Sequence, residues 1–486
     1  MKQAVFWPVA VVAVVLALGA LFFRGNLPFL GGSNAGSGEQ VTIEYWDWWV
    51  TQGPTIDREI QLFEQAHPNI EIKKTTQVVD KYPDLLQLAI KGGTAPDVFL
   101  IPDKPTLKEQ VDQGWLLPLN QWATDQWKAQ FPSDAIAEGS NMFDGKLYTV
   151  PYEGPAPWLQ FYINTKLFKE AGLVDANGNV KVPQTWDEVR EDARIITEKG
   201  QGKYYGYGFG DKQHTILPWH LWMTQNSGVA DAGGGFDART GRYAWASNPV
   251  YGDWIKFLMG MKEDGSIVPN AMSMDDEMAR AAFAQGKFAM TVGGVWNMSG
   301  WKQTNPDFQD YMVVNLPHEG PEQASYFYRS PGGKGWGISA QTKHPYEAWL
   351  WFSWLNSTDA ATRWVQDNQG LRVQPEANKV EYAKTPQFAQ FMQLAVDGTR
   401  VGPAPNLKHP EMDQVKIQAT KPDIQDILEG VYTGQITDYK AALKDLETRQ
   451  NAALDRAIAD AQSRGIKVDP SWWKVQNWDL TQDYEN

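Results

Sequence analysis

Residues 143–188 read FDGKLYTVPYEGPAPWLQFYINTKLFKEAGLVDANGNVKVPQTWDE, and this stretch decides how the chain is divided. Leu147–Val150 is a short β-branched and aromatic run that Pro151 ends. Tyr152–Trp158 carries Pro155 and Pro157, which hold it extended and forbid a helix. Leu159–Ile163 gives a second strand signal. Asn164 is a suitable N-cap for a helix over Thr165–Ala171, and Gly172 a suitable stop. Thr185 and Glu188 form a capping box that opens a further helix. The reading is a strand that leaves one compact unit, crosses over and begins a second.

The rest of the chain fits that division. Its 486 residues are too many for one hydrophobic core, so two domains or more are expected. A net charge of −14 argues against a nucleic-acid partner, which would want a basic face. The absence of cysteine excludes disulfides, thiolate metal sites, a cysteine nucleophile and a lipidated N-terminal cysteine. The aromatic content is unusual: 23 Trp, 18 Tyr and 20 Phe. Most belong in cores, and the remainder are expected to line a concave site where flat rings meet a ligand.

Ala4–Phe23 is a run of 20 residues without a charge, between Lys2 and Arg24. As a helix at ~1.5 Å per residue it spans ~30 Å, the thickness of a bilayer's hydrocarbon core. Secretory signals have shorter apolar cores, so residues 1–30 read as a retained signal-anchor, with a cleaved signal peptide as the alternative. Residues 31–40 form a flexible Gly/Ser-rich linker. Either reading exports the body, anchored on the extracytoplasmic face of the membrane or released as a periplasmic or secreted protein.

Within the body, strand signals at Val41–Tyr45, Ile70–Lys73 and Val98–Ile101 alternate with helical patterns at Thr55–His67, Tyr82–Ile90 and Leu107–Gln113. That order predicts a parallel sheet with helices on its faces, and ligands bind beyond the carboxyl ends of such strands. Those ends are Trp46-Asp47-Trp48-Trp49 and Pro102-Asp103. After the crossing, helices are expected over Trp186–Lys199, Asn248–Asp264, Met274–Ala284, Tyr346–Leu355 and Thr437–Arg464, with strands at Tyr204–Phe209, Phe288–Val292 and Tyr311–Asn315. His214–Asn226 reads as helical and rich in Trp.

Several chemistries find no support. There is no phosphate-binding Gly-x-x-x-x-Gly-Lys-Ser/Thr, no Gly-x-Ser-x-Gly elbow and no His-Glu-x-x-His. Asp175, Asn177 and Asn179 mimic a calcium loop, but Val180 and Trp186 occupy the positions that need Gly and Glu, so a hairpin turn is expected. No metal and no cofactor are expected.

Six landmarks in order resemble extracellular solute-binding protein family 1, the carbohydrate-binding components of ABC importers typified by maltose-binding protein. They are KGGTAPDVF (91–99), DGKLYTVP (144–151), FYINTKLFKEAG (161–172), PQTWDE (183–188), FAQGKFAMTVGGVW (283–296), and the segment Gly332–Ser339 followed by Ala348-Trp349. Tyr162-Ile163-Asn164 departs by one residue from the family's Tyr-Asn, and the family's lipidated cysteine is replaced by the apolar N-terminus. The resemblance implies an α/β, two-lobed periplasmic-binding-protein-like fold with a hinge and an interlobe ligand cleft. Lobe 1 would be 41–150 plus 321–356, and lobe 2 would be 151–320 plus 357–486. It also implies capture of a sugar or oligosaccharide by lobe closure, delivery to ABC permease subunits, a monomeric state and no enzymatic activity.

The expected ligand contacts are Trp46, Asp47, Trp48, Asp103, Glu153, Trp158, Trp296, Trp336 and Arg372. Aromatic rings cover the apolar C–H face of a sugar, and carboxylates or a guanidinium fix its hydroxyl edge. Trp296 matches the family's stacking aromatic. Asp47, Asp103 and Glu153 also suit a cation, which leaves a polyamine or another small solute as the alternative ligand. A secreted glycoside hydrolase would share the aromatic cleft, yet no pattern pairs the two carboxyls it needs.

Overall fold

The computed structural model describes residues Gln40–Glu485, so the apolar stretch Ala4–Phe23 and residues 31–39 of the linker lie outside the described residues. Among the described residues no helix is long and apolar enough to cross a membrane.

Two four-stranded sheets organise the body. The first has the spatial order Trp336–Ile338, Val98–Leu100, Val41–Asp47, Ile70–Thr76. Its three N-terminal strands are parallel, in register from Val41 against Ile70 to Asp47 against Thr76 and with Tyr45 opposite Val98. Helix Gly53–Ala66 buries Ile56, Ile60 and Phe63 against one face, beside Trp351 and Phe352 of helix Pro345–Leu355. Helix Tyr82–Gly92 covers the other face with Tyr82, Leu86 and Ile90. Burial on both faces is what parallel strands require. The fourth strand, Trp336–Ile338, lies antiparallel against Val98–Leu100. It arrives from far along the chain, and no local pattern announces its direction.

Sheet two runs Tyr311–Val314, Gln160–Asn164, Phe288–Gly293, Tyr205–Tyr207. The two central strands are buried along their whole length, with Phe161, Tyr162, Ile163, Phe288, Ala289 and Met290 inaccessible to solvent. Helix Trp186–Gly200 packs over this sheet through Val189, Ala193 and Ile196. Its capping box forms as the sequence suggests, with Thr185 accepting from the Glu188 amide and Glu188 accepting from the Thr185 amide. Asn164 likewise caps helix Thr165–Glu170, accepting from the Leu167 amide at 3.1 Å. The loop Asp175–Asn179 is a hairpin turn whose Asp175 carboxylate accepts from the amides of Asn177 and Asn179, with Val174 bridged to Val180.

The proline-bearing segment 150–159 connects the two sheets and does not travel alone. Glu153 bridges Arg372 in antiparallel fashion, and the Gly154 amide donates to the Leu371 carbonyl at 3.0 Å. A Cβ at Gly154 would sit 2.4 Å from the Arg372 carbonyl oxygen, so only glycine permits this approach.

Candidate functional site

Parallel strands that end together leave their following loops around one hollow. Here the chain after Asp47, Thr76 and Leu100 surrounds a cavity of about 560 Å³, lined by Trp48, Asp80, Tyr82, Asp84, Asp103 and Lys104 among others. Trp48 meets the Tyr82 ring edge-to-face at 4.8 Å. The Tyr82 hydroxyl donates to the Leu100 carbonyl at 2.6 Å, which fixes that ring. Asp103 forms an ion pair with Lys334. Asp80 and Asp84 are exposed and make no ion pair among the described residues.

The strand Val41–Asp47 extends two residues past the sequence expectation, and this decides what its end does. Ile43, Tyr45 and Asp47 continue one inward alternation, so Asp47 is fully buried. One of its oxygens accepts from Thr76 Oγ1 at 2.7 Å and the Trp49 amide at 3.3 Å, tying adjacent strand ends together. Burial raises its pKa, and the Thr76 hydrogen bond and Lys74 act in the other direction. Trp46 and Trp48 alternate outward and are half-buried, while Trp49 returns to the core.

Two further expected contacts lie beneath the surface. Trp336 is 1% exposed, donates through Nε1 to the Tyr45 hydroxyl at 3.0 Å and packs edge-on against Trp49 at 5.4 Å. The guanidinium of Arg372, 2% exposed, lies 5.0 Å from the Trp336 ring and 5.4 Å from the Trp364 ring. Its Nη2 donates to the Leu355 carbonyl at 3.0 Å. Burial pushes its pKa down to about 10, against the pull of Tyr152, Glu59 and Glu153. Asp47, Trp336 and Arg372 therefore depart from the expectation of ligand contact. They brace the strand ends and the crossover, because their register and neighbours turn them inward.

Glu153 is solvent-exposed on the crossover, with protein atoms crowding its carboxyl. That crowding raises its carboxyl pKa. The Tyr152 hydroxyl, donating at 2.8 Å, lowers it, as does Arg372, while Asp103 raises it. Asp103, Lys334 and Glu153 thus act on one another across the space beside the crossover.

On the second sheet a wall of indoles forms. Trp158 lies 5.5 Å from Trp219, 5.1 Å from Trp222 and 6.3 Å from Trp296. Trp219 meets Trp296 at 5.7 Å, and Trp222 meets Phe327 at 5.9 Å. All five rings are half-buried. Trp296 opens helix Trp296–Thr304 directly after strand Phe288–Gly293, and a Cβ at Gly294 would sit 2.1 Å from its ring. Glycine is what lets the indole fold back over its own chain. Trp219 and Trp222 were not singled out from the sequence, and neither were Asp80, Tyr82 and Asp84. The Trp-rich run His214–Asn226 was visible, but only the sheet beneath it aims those rings at Trp158 and Trp296.

His220 is buried and apart from His214 in its bonding. Burial drives its pKa down to about 3, and its Nδ1 is 2.5 Å from the Tyr207 hydroxyl, whereas His214 pairs with Glu429 at 2.8 Å. Among the described residues no group of three or more His, Asp or Glu is arranged to hold a metal ion.

The model of the bacterial extracellular solute-binding proteins matches residues 47–362, more than half of the chain. The protein belongs to that family. Among curated relatives, this solute-binding protein is 24% identical over 339 residues to the multiple sugar-binding protein of Streptococcus mutans, covering 67% of this chain and 73% of the relative. It is 24% identical over 355 residues to the maltodextrin-binding protein MdxE of Bacillus subtilis, covering 70% and 76%. Among solved structures, its fold matches a Thermotoga lettingae ABC-transporter solute-binding protein bound with α-D-tagatose, at a TM-score of 0.65, 21% identity and coverage of 85% and 100%. The GacH receptor of Streptomyces glaucescens matches at a TM-score of 0.64, 20% identity and coverage of 85% and 99%. The solute-binding fold is α/β and two-lobed, with an extracytoplasmic location implied by the family.

Proposed function

We propose that this protein captures a sugar or oligosaccharide by lobe closure and delivers it to an ABC importer, without breaking a bond. Lobe 1 is taken as residues 41–150 plus 321–356 and lobe 2 as 151–320 plus 357–486, with the ligand between them. The observation that carries the reading is the wall of half-buried indoles at Trp158, Trp219, Trp222 and Trp296. A pyranose ring has an apolar C–H face that such a wall covers, and hydroxyls that exposed carboxylates accept. Trp46, Trp48, Asp103 and Glu153 complete the proposed contacts, joined by Asp80, Tyr82 and Asp84 of the cavity. Asp47, Trp336 and Arg372 support them from beneath. Ala4–Phe23 is proposed to anchor the body, as a monomer, to the outer face of the membrane.

Tryptophan fluorescence titration tests this with a panel of neutral oligosaccharides and spermidine, the mixtures then being separated by chromatography. Saturation by an oligosaccharide with no new product supports the reading; turnover overturns it. The acids around the cavity favour one second reading, a polyamine, and saturation by spermidine alone would select it.

A further inference from the structure

Beyond residue 362, the end of the family match, the segment 402–416 runs between the two lobes. Its apolar side belongs to lobe 2. Met412 and Val415 share a small core with Leu454, Ala457 and Ile458 of helix Tyr439–Ser463. The His409 ring stacks on Trp472 at 4.1 Å and 4°. Arg464 donates to the Gln414 carbonyl at 3.0 Å.

The other side meets lobe 1. Lys416 Nζ lies 3.1 Å from Glu109 Oε1. Glu109 closes the capping box of helix Leu107–Asp112 with Thr106, so its carboxylate is fixed to the frame of lobe 1. A Cβ at Gly139 would be 3.4 Å from Leu407 Cα, which places the two backbones in close contact. Just upstream, Thr399–Val401 pairs in parallel with Phe327–Arg329, whose Arg329 forms an ion pair with Asp134. The Asp134 carbonyl accepts from the Gly332 amide and Ser140 Oγ from the Gly333 amide, and Gly333 faces Pro151, so the Asp134 and Gly139 contacts adjoin the crossover.

We propose that the segment 402–416 is an interlobe clasp, tying lobe 2 to Glu109 and Gly139 of lobe 1 and biasing the protein toward the lobe arrangement in which these contacts form. Contacts made in only one of two conformations shift their populations by the free energy of those contacts. The Lys416 and Glu109 side chains are 46% and 32% exposed, so their pair shifts the balance a few-fold. A latch of that strength still opens to admit ligand. The clasp rests on the two-lobed fold and not on the identity of the ligand.

The chain has no cysteine, so D125C/K199C introduces two specific nitroxide sites, one in lobe 1 and one in lobe 2, both exposed. Pulsed electron–electron resonance on the full, ligand-free chain then reads the interlobe distance distribution. K416E is expected to enlarge the minor population of interlobe distances by about two- to fivefold, and K416A and E109Q, the latter keeping the capping acceptor, to do so less. A K416E distribution superimposable on that of the parent overturns the clasp.

Discussion

Substituting Gly154 by alanine tests the junction between the segment 150–159 and the segment that carries Arg372. The added Cβ would lie 2.4 Å from the Arg372 oxygen, 2.9 Å from its carbonyl carbon and 3.1 Å from Leu371 Cβ. Ordinary contact begins near 3.4 Å, so one crossover must retreat from the other by about 1 Å. Gly154 does not have a positive φ, so the backbone itself accepts alanine and the clash is the whole cause. The retreat breaks the Gly154 N–H bond to Leu371 at 3.0 Å and the longer Val373 N–H bond to Tyr152 at 3.4 Å. Overpacking costs ~1–3 kcal/mol and each lost hydrogen bond ~0.5–1.5 kcal/mol, while the stiffer unfolded chain returns ~0.4–1 kcal/mol. The central values sum to a net loss of about 3 kcal/mol. Urea unfolding followed by tryptophan fluorescence measures it, with Gly300→Ala as the control. Gly300 lies in helix Trp296–Thr304 with nothing closer to its added Cβ than Thr51 Cγ2 at 3.7 Å, so that variant is neutral or gains up to ~1 kcal/mol. A Gly154→Ala protein within about 0.5 kcal/mol of the parent would refute the close-approach argument.

Three other outcomes separate roles that the sequence left together. Trp296→Ala is expected to weaken the best-bound oligosaccharide by ~2 kcal/mol or more with little loss of stability, whereas Trp336→Ala costs ~3–5 kcal/mol of stability because its ring is core; calorimetric titration and urea midpoints distinguish them. Asp192 is 8% exposed, and burial raises its pKa to about 7, with Lys181 opposing and Glu188 and Glu191 adding to the rise. The native state therefore holds its proton longer than the unfolded chain, so this group's contribution is full below the unfolded carboxyl value and is lost as pH rises through about 7. Asp192→Asn should unfold at higher urea than the parent at pH ~8, with the gap closing toward pH ~4; an equal gap at both would exclude the linkage. Glu59, 3% exposed, accepts from Arg363 Nε at 2.7 Å and Nη2 at 2.6 Å and from Trp354 at 3.1 Å. Arg363→Ala removes the bidentate partner and leaves that carboxylate with only Trp354 and Arg58 Nη2 at 3.5 Å, at a cost of about 3 kcal/mol, and Arg363→Lys, which keeps the charge without the fork, should fall between; equal stability of all three proteins would refute it.

The caps at Asn164 and Thr185 and the alternation in Val41–Tyr45 were legible from neighbouring residues, because hydrogen bonds three residues apart and a period of two are local physics. The hairpin at Asp175–Asn179 was legible for the same reason. So was the family, through short motifs whose order along the chain carries the information. The antiparallel return of Trp336–Ile338 and the pairing of Glu153 with Arg372 were not, since each joins segments far apart in sequence.

The same divide runs through the candidate site. Composition announced more tryptophan than a core requires, and the prolines around Glu153 announced a crossover. Which indoles stay half-exposed was decided by tertiary structure alone. Trp336 and Trp296 both follow glycine-rich turns, yet one is enclosed by Tyr45, Trp49 and Arg372, and the other stands half-open beside Trp158 and Trp219. Asp47 is separated from Trp46 and Trp48 by the parity of its strand position, and the sequence reading ended the strand at Tyr45, before that parity applied. A side chain's chemistry is written in the sequence; the direction it points is set by what packs against it.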